Sequence, residues 1–304
     1  MITGLNVLNC SSSDVVGTGL AGCRIDRKRV VAIGLLAKGT VLSGDVDKAY
    51  IQNLQQLGKL IYLKGVITFA DNTPDPTIIT REGSGYKTLV SELPYEYLAT
   101  FDNGQNFQKA LKSISGNGNY DLVLWDVDDV MWLTQNLAGD VKGFALGMHN
   151  SGKYVGNDGT NAASQTLMLQ LTERSEVDER MSFVTPDNFS SNDIDGVNDV
   201  KITINPIVAA STTIVFAPYL IDGSHLVEGL ALSDIRVTKN GAIVTPTNLS
   251  YVTNEGKITV TVAAHVAADA ITVQLFDSVL VKPVILSPAD VLYKSNIATA
   301  VVTA

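Results

Sequence analysis

Tyr120-Asp121-Leu122-Val123-Leu124-Trp125-Asp126-Val127-Asp128-Asp129-Val130-Met131-Trp132-Leu133 is the stretch on which the fold class turns. Gly116-Asn117-Gly118-Asn119 precedes it and Asp128-Asp129 interrupts it, and both are turn chemistry. The passage therefore reads as two apolar strands joined by a tight turn. Its surroundings repeat the theme. Tyr95, Tyr97, Ala99 and Phe101 alternate with Glu96, Leu98 and Thr100, and Leu167, Leu169 and Leu171 alternate with Met168, Gln170 and Thr172. That period of two belongs to a half-buried strand. Phe144-Ala145-Leu146 reads as a further short strand. Two helices interrupt the strands. Phe107, Ala110, Leu111 and Ile114 share one face of a helix near 106–115, and Val46, Ala49, Leu54 and Leu57 share one face of a helix near 45–57. Strand and helix mix without regular alternation. The expected class is α+β, mostly β: an antiparallel barrel or sandwich with one or two flanking helices.

The texture changes after residue 185. Residues 186–199 are polar, acidic and rich in turn residues, and read as a linker. Beyond them, Lys201–Ile204, Thr213–Phe216, Ile235–Val237, Lys257–Val262 and Ile271–Leu275 are short β-branched runs separated by turns. Strands at this spacing without a long helix predict an Ig-like sandwich over 200–304, able to fold by itself. The first domain is then 1–185.

The chain has 304 residues, 45% of them hydrophobic, enough for packed cores. No apolar run approaches the ~20 residues of a membrane-spanning helix. Met1-Ile2-Thr3-Gly4 has no basic region and no apolar region after it, so no secretory signal is expected. Net charge is −9, and residues 173–199 carry eight acidic and two basic residues. No broad basic face exists for phosphate neutralisation, which disfavours sequence-independent nucleic-acid binding. The one basic cluster is Arg24, Arg27, Lys28 and Arg29; opposite in sign stand Glu173, Glu176, Asp178 and Glu179. These eight residues are the candidate subunit interface. Their pairing can run between copies or within one chain.

Catalytic patterns are weak. Cys10 and Cys23 read as reduced thiols, and His149, His225 and His265 are too scattered for a zinc site or a triad. Gly147-Met148-His149-Asn150-Ser151-Gly152-Lys153 has phosphate-loop spacing, but Tyr154 replaces the magnesium-binding Ser/Thr. It reads as a surface loop between strands. Asp126 and Asp128 resemble the acidic pair of a dehalogenase-type phosphatase, yet strand follows where a helix is required. They read instead as turn-stabilising carboxylates, with Asp126→Ala costing ~0.5–1.5 kcal/mol. Asp187, Asp193, Asp195 and Asp199 could form only a loose calcium site, since Ile202 stands where a bidentate Glu is needed. The sequons at Asn9, Asn188 and Asn248 mean nothing without export. No catalytic, cofactor or metal site is expected, and the chain is not read as an enzyme.

The order of elements resembles phage virion proteins of the tail-tube type. The strand Tyr95–Phe101, the helix Phe107–Ile114, the hairpin Tyr120–Leu133, the strand Gln165–Thr172 and the Ig-like end from Val200 carry the likeness. The resemblance implies a structural subunit located in the virion and made in the host bacterial cytoplasm. It implies cyclic homo-oligomers, hexameric rings that stack as a tube. Partners would be further copies, other virion proteins and DNA passing through without specific binding. Subunit contacts would fall on residues 1–60 and the 120–133 hairpin. A head–tail connector ring or a capsid decoration protein is the near alternative, and an Ig-like adhesin or carbohydrate-binding module is the alternative of another class.

Overall fold

The computed structural model describes residues 5–7, 27–80, 82–83, 85–160, 162–186, 189–223, 225–252 and 255–304. Cys10, Cys23, Arg24, Asn9, Asp187, Asn188 and residues 1–4 and 8–26 of the N-terminal segment expected at subunit contacts lie outside them. The protein is α+β and mostly β. Two compact units divide the chain: residues 1–51 with 59–194, and residues 52–58 with 195–304.

Up to residue 101 the elements run β1 (Leu5–Val7), β2 (Val30–Ala37), α1 (Lys48–Gln56), β3 (Leu60–Lys64), β4 (Thr68–Asp71), β5 (Thr77–Thr80), β6 (Lys87–Ser91) and β7 (Glu96–Phe101). Then follow α2 (Gly104–Ile114), β8 (Tyr120–Asp126), β9 (Met131–Gln135), β10 (Val141–Lys142), β11 (Phe144–Ser151), β12 (Gln165–Leu171), α3 (Ser175–Asp178) and β13 (Met181–Val184). One sheet of eleven strands carries the order β1-β13-β9-β8-β11-β12-β7-β4, with β2, β3 and β10 alongside, and curves as a half-barrel.

β8 is the hub. β2 pairs with it from Ala37↔Tyr120 to Val30↔Asp126, while β11 takes Asp121 and Leu122 and β9 takes Leu124 and Trp125. A strand flanked on both edges and covered on both faces must be apolar throughout, and Leu122 to Trp125 are all buried. The strands of the hairpin are therefore core, and Val127 and Asp128 at its turn are exposed. β7 and β12, by contrast, alternate buried and half-exposed positions along their lengths. Their inner residues join Leu111 of α2, Ile33, Leu35 and Trp132 in one cluster. Burial of each such side chain contributes roughly 1.5–3 kcal/mol.

Behind β8, Gly34 makes room for the Trp125 indole: a Cβ there would stand 2.7 Å from Cζ3. In α1, Ile51 and Leu54 are buried, whereas Ala49 and Leu57, expected inward, are exposed. The polar stretch after β13 is partly seated. Asp129 Oδ1 accepts from Ser191 N (2.7 Å), Ser191 Oγ (2.6 Å) and Ser190 Oγ (3.0 Å), and Ile194 is fully buried.

The second unit adds β14 (Asn198–Ile204), β15 (Thr213–Leu220), β16 (Ile235–Lys239), β17 (Ala242–Val244) and β18 (Asn248–Val252). β19 (Lys257–Thr261), β20 (Ala270–Leu275), β21 (Ile285–Leu286), β22 (Leu292–Ser295) and β23 (Ala298–Val301) complete it. Sheets β18-β19-β15-β14-β22-β21 and β17-β16-β20-β23 enclose one core that includes Ile202, Phe216, Val260, Val237 and Val273. This is a two-sheet β-sandwich. Residues 52–58 belong to the same unit. Lys282 Nζ donates to Asn53 Oδ1 (2.7 Å) and Gln56 Oε1 (3.0 Å), and Gln55 Nε2 donates to Asp195 O (2.8 Å). A fragment cut at residue 200 lacks that helical strip.

Gly34→Ala should lower first-unit stability by about 1–3 kcal/mol through overpacking. Gly147→Ala, whose new Cβ would meet nothing nearer than 3.7 Å, should leave the thermal midpoint nearly unchanged. Thermal unfolding followed by circular dichroism compares them; equal effects would contradict this packing.

Candidate interaction surface

Strands β4 and β7 pair at the sheet edge, and their continuations β5 and β6 pair with each other alone. Residues 77–91 are thus the far half of one long hairpin. A β-hairpin without further support is marginally stable in water. In this arm Ile78 stands opposite Leu89 and Ile79 opposite Thr88. Neighbouring residues alternate faces, so Ile78 and Leu89 occupy one face and Ile79 the other, while Val90 is the unpaired residue at the register shift between Thr77 and Ile78. All four are between 53% and 56% exposed. Large apolar side chains exposed on both faces of a ribbon mark a surface made to be covered. The sequence reading missed the arm. Its signal was two β-branched or apolar pairs, Ile78-Ile79 and Leu89-Val90, around Gly83-Ser84-Gly85.

Aromatic rings line the root of the arm. Phe69 and Tyr97 stack at 4.9 Å, and Tyr97 and Tyr95 lie parallel at 6.1 Å. The Arg27 guanidinium sits 5.0 Å from the Phe69 ring and 5.3 Å from Tyr97, and that of Arg174 sits 4.6 Å from Tyr95. Tyr95 donates to Asp178 Oδ1 at 2.6 Å. Burial, reinforced by the Asp178 carboxylate, raises the Tyr95 phenol above its ordinary value, so it stays a donor.

Of the eight candidate interface residues, Arg24 lies outside the described residues and five of the others take partners elsewhere. Lys28 pairs with Asp128, and Arg29 is exposed while its carbonyl accepts from Val127 N. Glu173 pairs with Arg180 at 3.0 Å, Asp178 with Tyr95 and Arg174, and Glu179 is exposed. Glu176 is buried, with Oε1 2.5 Å from Lys142 Nζ and Oε2 accepting from Ala145 N at 2.6 Å. Among the described residues no ion pair joins the basic cluster to the acidic one. Arg27 and Asp178 instead lie at opposite ends of the aromatic ladder.

The chemical motifs also resolve into structure. Asp126 is buried and its carboxylate accepts from Asp128 N (3.0 Å), Val130 N (3.1 Å), Trp132 Nε1 (2.9 Å) and, at the longer 3.4 Å, Lys28 N. A carboxylate so occupied is a turn clamp, not a nucleophile. Gly147–Ser151 belongs to strand β11 rather than to a surface loop. Gly152 is required by packing, since a Cβ there would fall 2.0 Å from Thr166 Oγ1. Asp193 caps the turn at Ser190 by accepting from its N–H at 3.0 Å. Among the described residues no three metal-ligating side chains converge.

Two histidines are buried. His149 donates from Nε2 to Ile114 O at 2.7 Å and meets the Tyr120 ring edge-on. Burial lowers its pKa, and burial followed by the Lys239 ammonium lowers that of His265. The folded state therefore favours the neutral form of both.

No protein-family model matches this chain, and no curated protein matches it.

Asp126→Ala strands the N–H groups that converge on it. We expect a loss on the order of 3 kcal/mol, larger than the turn reading of the sequence gave, while Asp128→Ala leaves the midpoint nearly unchanged. Denaturant titration of both variants checks this. The histidines set a pH dependence. Unfolded His takes up a proton below about pH 6.5, whereas the folded side chains resist it. Their contribution is therefore complete above that pH and is lost as pH falls below it. The midpoint should drop between pH 7 and pH 5, and less steeply in a His149→Gln, His265→Gln double variant.

Proposed function

We propose that this chain is a structural subunit that assembles with copies of itself into closed rings, and that these rings stack as the tail tube of a phage virion. The observation that carries the reading is the arm of residues 77–91, which exposes large apolar side chains on both faces. An arm of this kind gains its stability from a neighbour, and a heterologous contact repeated by rotation closes a ring. The ion pairs described above are satisfied locally, so the contact between copies rests on the arm rather than on charge. Net charge −9 without a basic stripe suits a conduit that lets DNA pass without holding it. The Ig-like sandwich suits a decorating unit outside the ring. On this reading the chain performs no catalysis.

Negative-stain images and sedimentation velocity test the reading. The wild-type chain should form rings or stacked tubes. Ile78→Asp with Ile79→Asp, one on each face of the arm, should give folded monomers with an unchanged thermal midpoint. Because the contact is apolar, assembly should survive 1 M salt, where the Debye length falls to ~3 Å. A wild-type chain that stays monomeric at high concentration overturns the proposal.

A further inference from the structure

The arm leaves the body through residues 72–76 and 92–95, and the second exit is gripped from outside the hairpin. Resting on the reading of the arm as the assembly element, we propose that Arg174 and helix α3 form a latch that holds the root of the arm on the body. The latch has an anchor and a grip. The anchor is Glu176, buried, bonded to Lys142 Nζ at 2.5 Å and to the Ala145 amide at 2.6 Å, while its carbonyl accepts from Thr134 Oγ1 at 3.0 Å. It fixes the helix to β9, β10 and β11.

The grip faces solvent. Arg174 donates from Nη1 to Leu93 O (3.4 Å) and from Nη2 to Tyr95 OH (3.2 Å), lies over the Tyr95 ring, and stands 3.7 Å from Glu92 and 3.5 Å from Asp178. Asp178, on the same helix, holds Tyr95 OH at 2.6 Å. A planar guanidinium can stack and donate at once, which a lysine cannot. Arg174 thus touches the arm's exit at residues 92, 93 and 95 and contributes nothing to the core cluster. Anchor and grip are separable: the first belongs to the folded body, the second to the arm. The other exit has a fixed partner of its own, since Glu96 N donates to Thr73 Oγ1 at 3.0 Å and Asn72 N to Glu96 O at 2.8 Å. Releasing Arg174 frees one leg of the hairpin and strains the other.

Amide exchange on the full chain tests this with Arg174→Ala, Arg174→Lys and Tyr95→Phe. The amides to follow are Asn72, Glu96 and Leu171, whose acceptors lie at the root. The latch predicts exchange about tenfold faster there in Arg174→Ala, no rescue by Arg174→Lys, and a smaller rise in Tyr95→Phe, with β8 amides unchanged in all three. Unchanged exchange at the root overturns the latch, as does uniform acceleration through β8, which would make Arg174 general cement. Sedimentation of the same samples separates the two readings. A loosened root with undiminished assembly leaves the latch standing and removes the arm from the assembly contact.

Discussion

The Asp126 carboxylate holds together chain segments that are far apart in sequence. It closes the turn through Asp128 N and Val130 N, reaches the Trp132 indole and contacts the Lys28 amide, while Asp129 beside it seats Ser190 and Ser191. A buried carboxylate is tolerated only when surrounded by donors, and here the turn supplies them. With the turn fixed, β8 and β9 have one register. With β8 fixed, β2, β9 and β11 have a place to pair. The sheet of the first unit follows from that junction.

What the interior satisfies, the arm leaves open. Charged side chains near the acidic segment find partners a few residues away or in the adjoining strand, and one of them, Glu176, is buried. Exposed ion pairs of this sort add little, ~0–1 kcal/mol, and are screened by salt. The arm offers the opposite chemistry: large apolar side chains, non-directional attraction and no cover. Its root is nonetheless ordered by the stacked rings of Phe69, Tyr97 and Tyr95 between two guanidinium groups. A stiff root with an uncovered tip suits a contact made with another molecule.

Sequence patterns were legible wherever one face of an element is buried. The alternation at Tyr97, Ala99 and Phe101 and at Leu167, Leu169 and Leu171 reads directly as β7 and β12, and Leu111 marks the inner face of α2. The 120–133 hairpin was visible as a hairpin, but the burial of its strands was not, because a strand buried on both faces looks the same as an apolar contact surface. The phosphate-loop spacing was rightly set aside, but its glycines disguised a strand as a surface loop. The arm escaped notice because alternation arises from one-sided burial, and the arm has none. Charge clusters named the residues without naming their partners: Glu176 could pair inward only because the fold brings Lys142 beside it. The Tyr95–Arg174 contact joins positions 79 residues apart, which no local pattern reports.

The central claim is that another copy of the chain covers the arm, and amide exchange measured against protein concentration tests it most directly. Protection of residues 77–91 should rise with concentration as copies meet, while protection of β8 stays constant. Arm amides that exchange equally fast at every concentration would contradict the account.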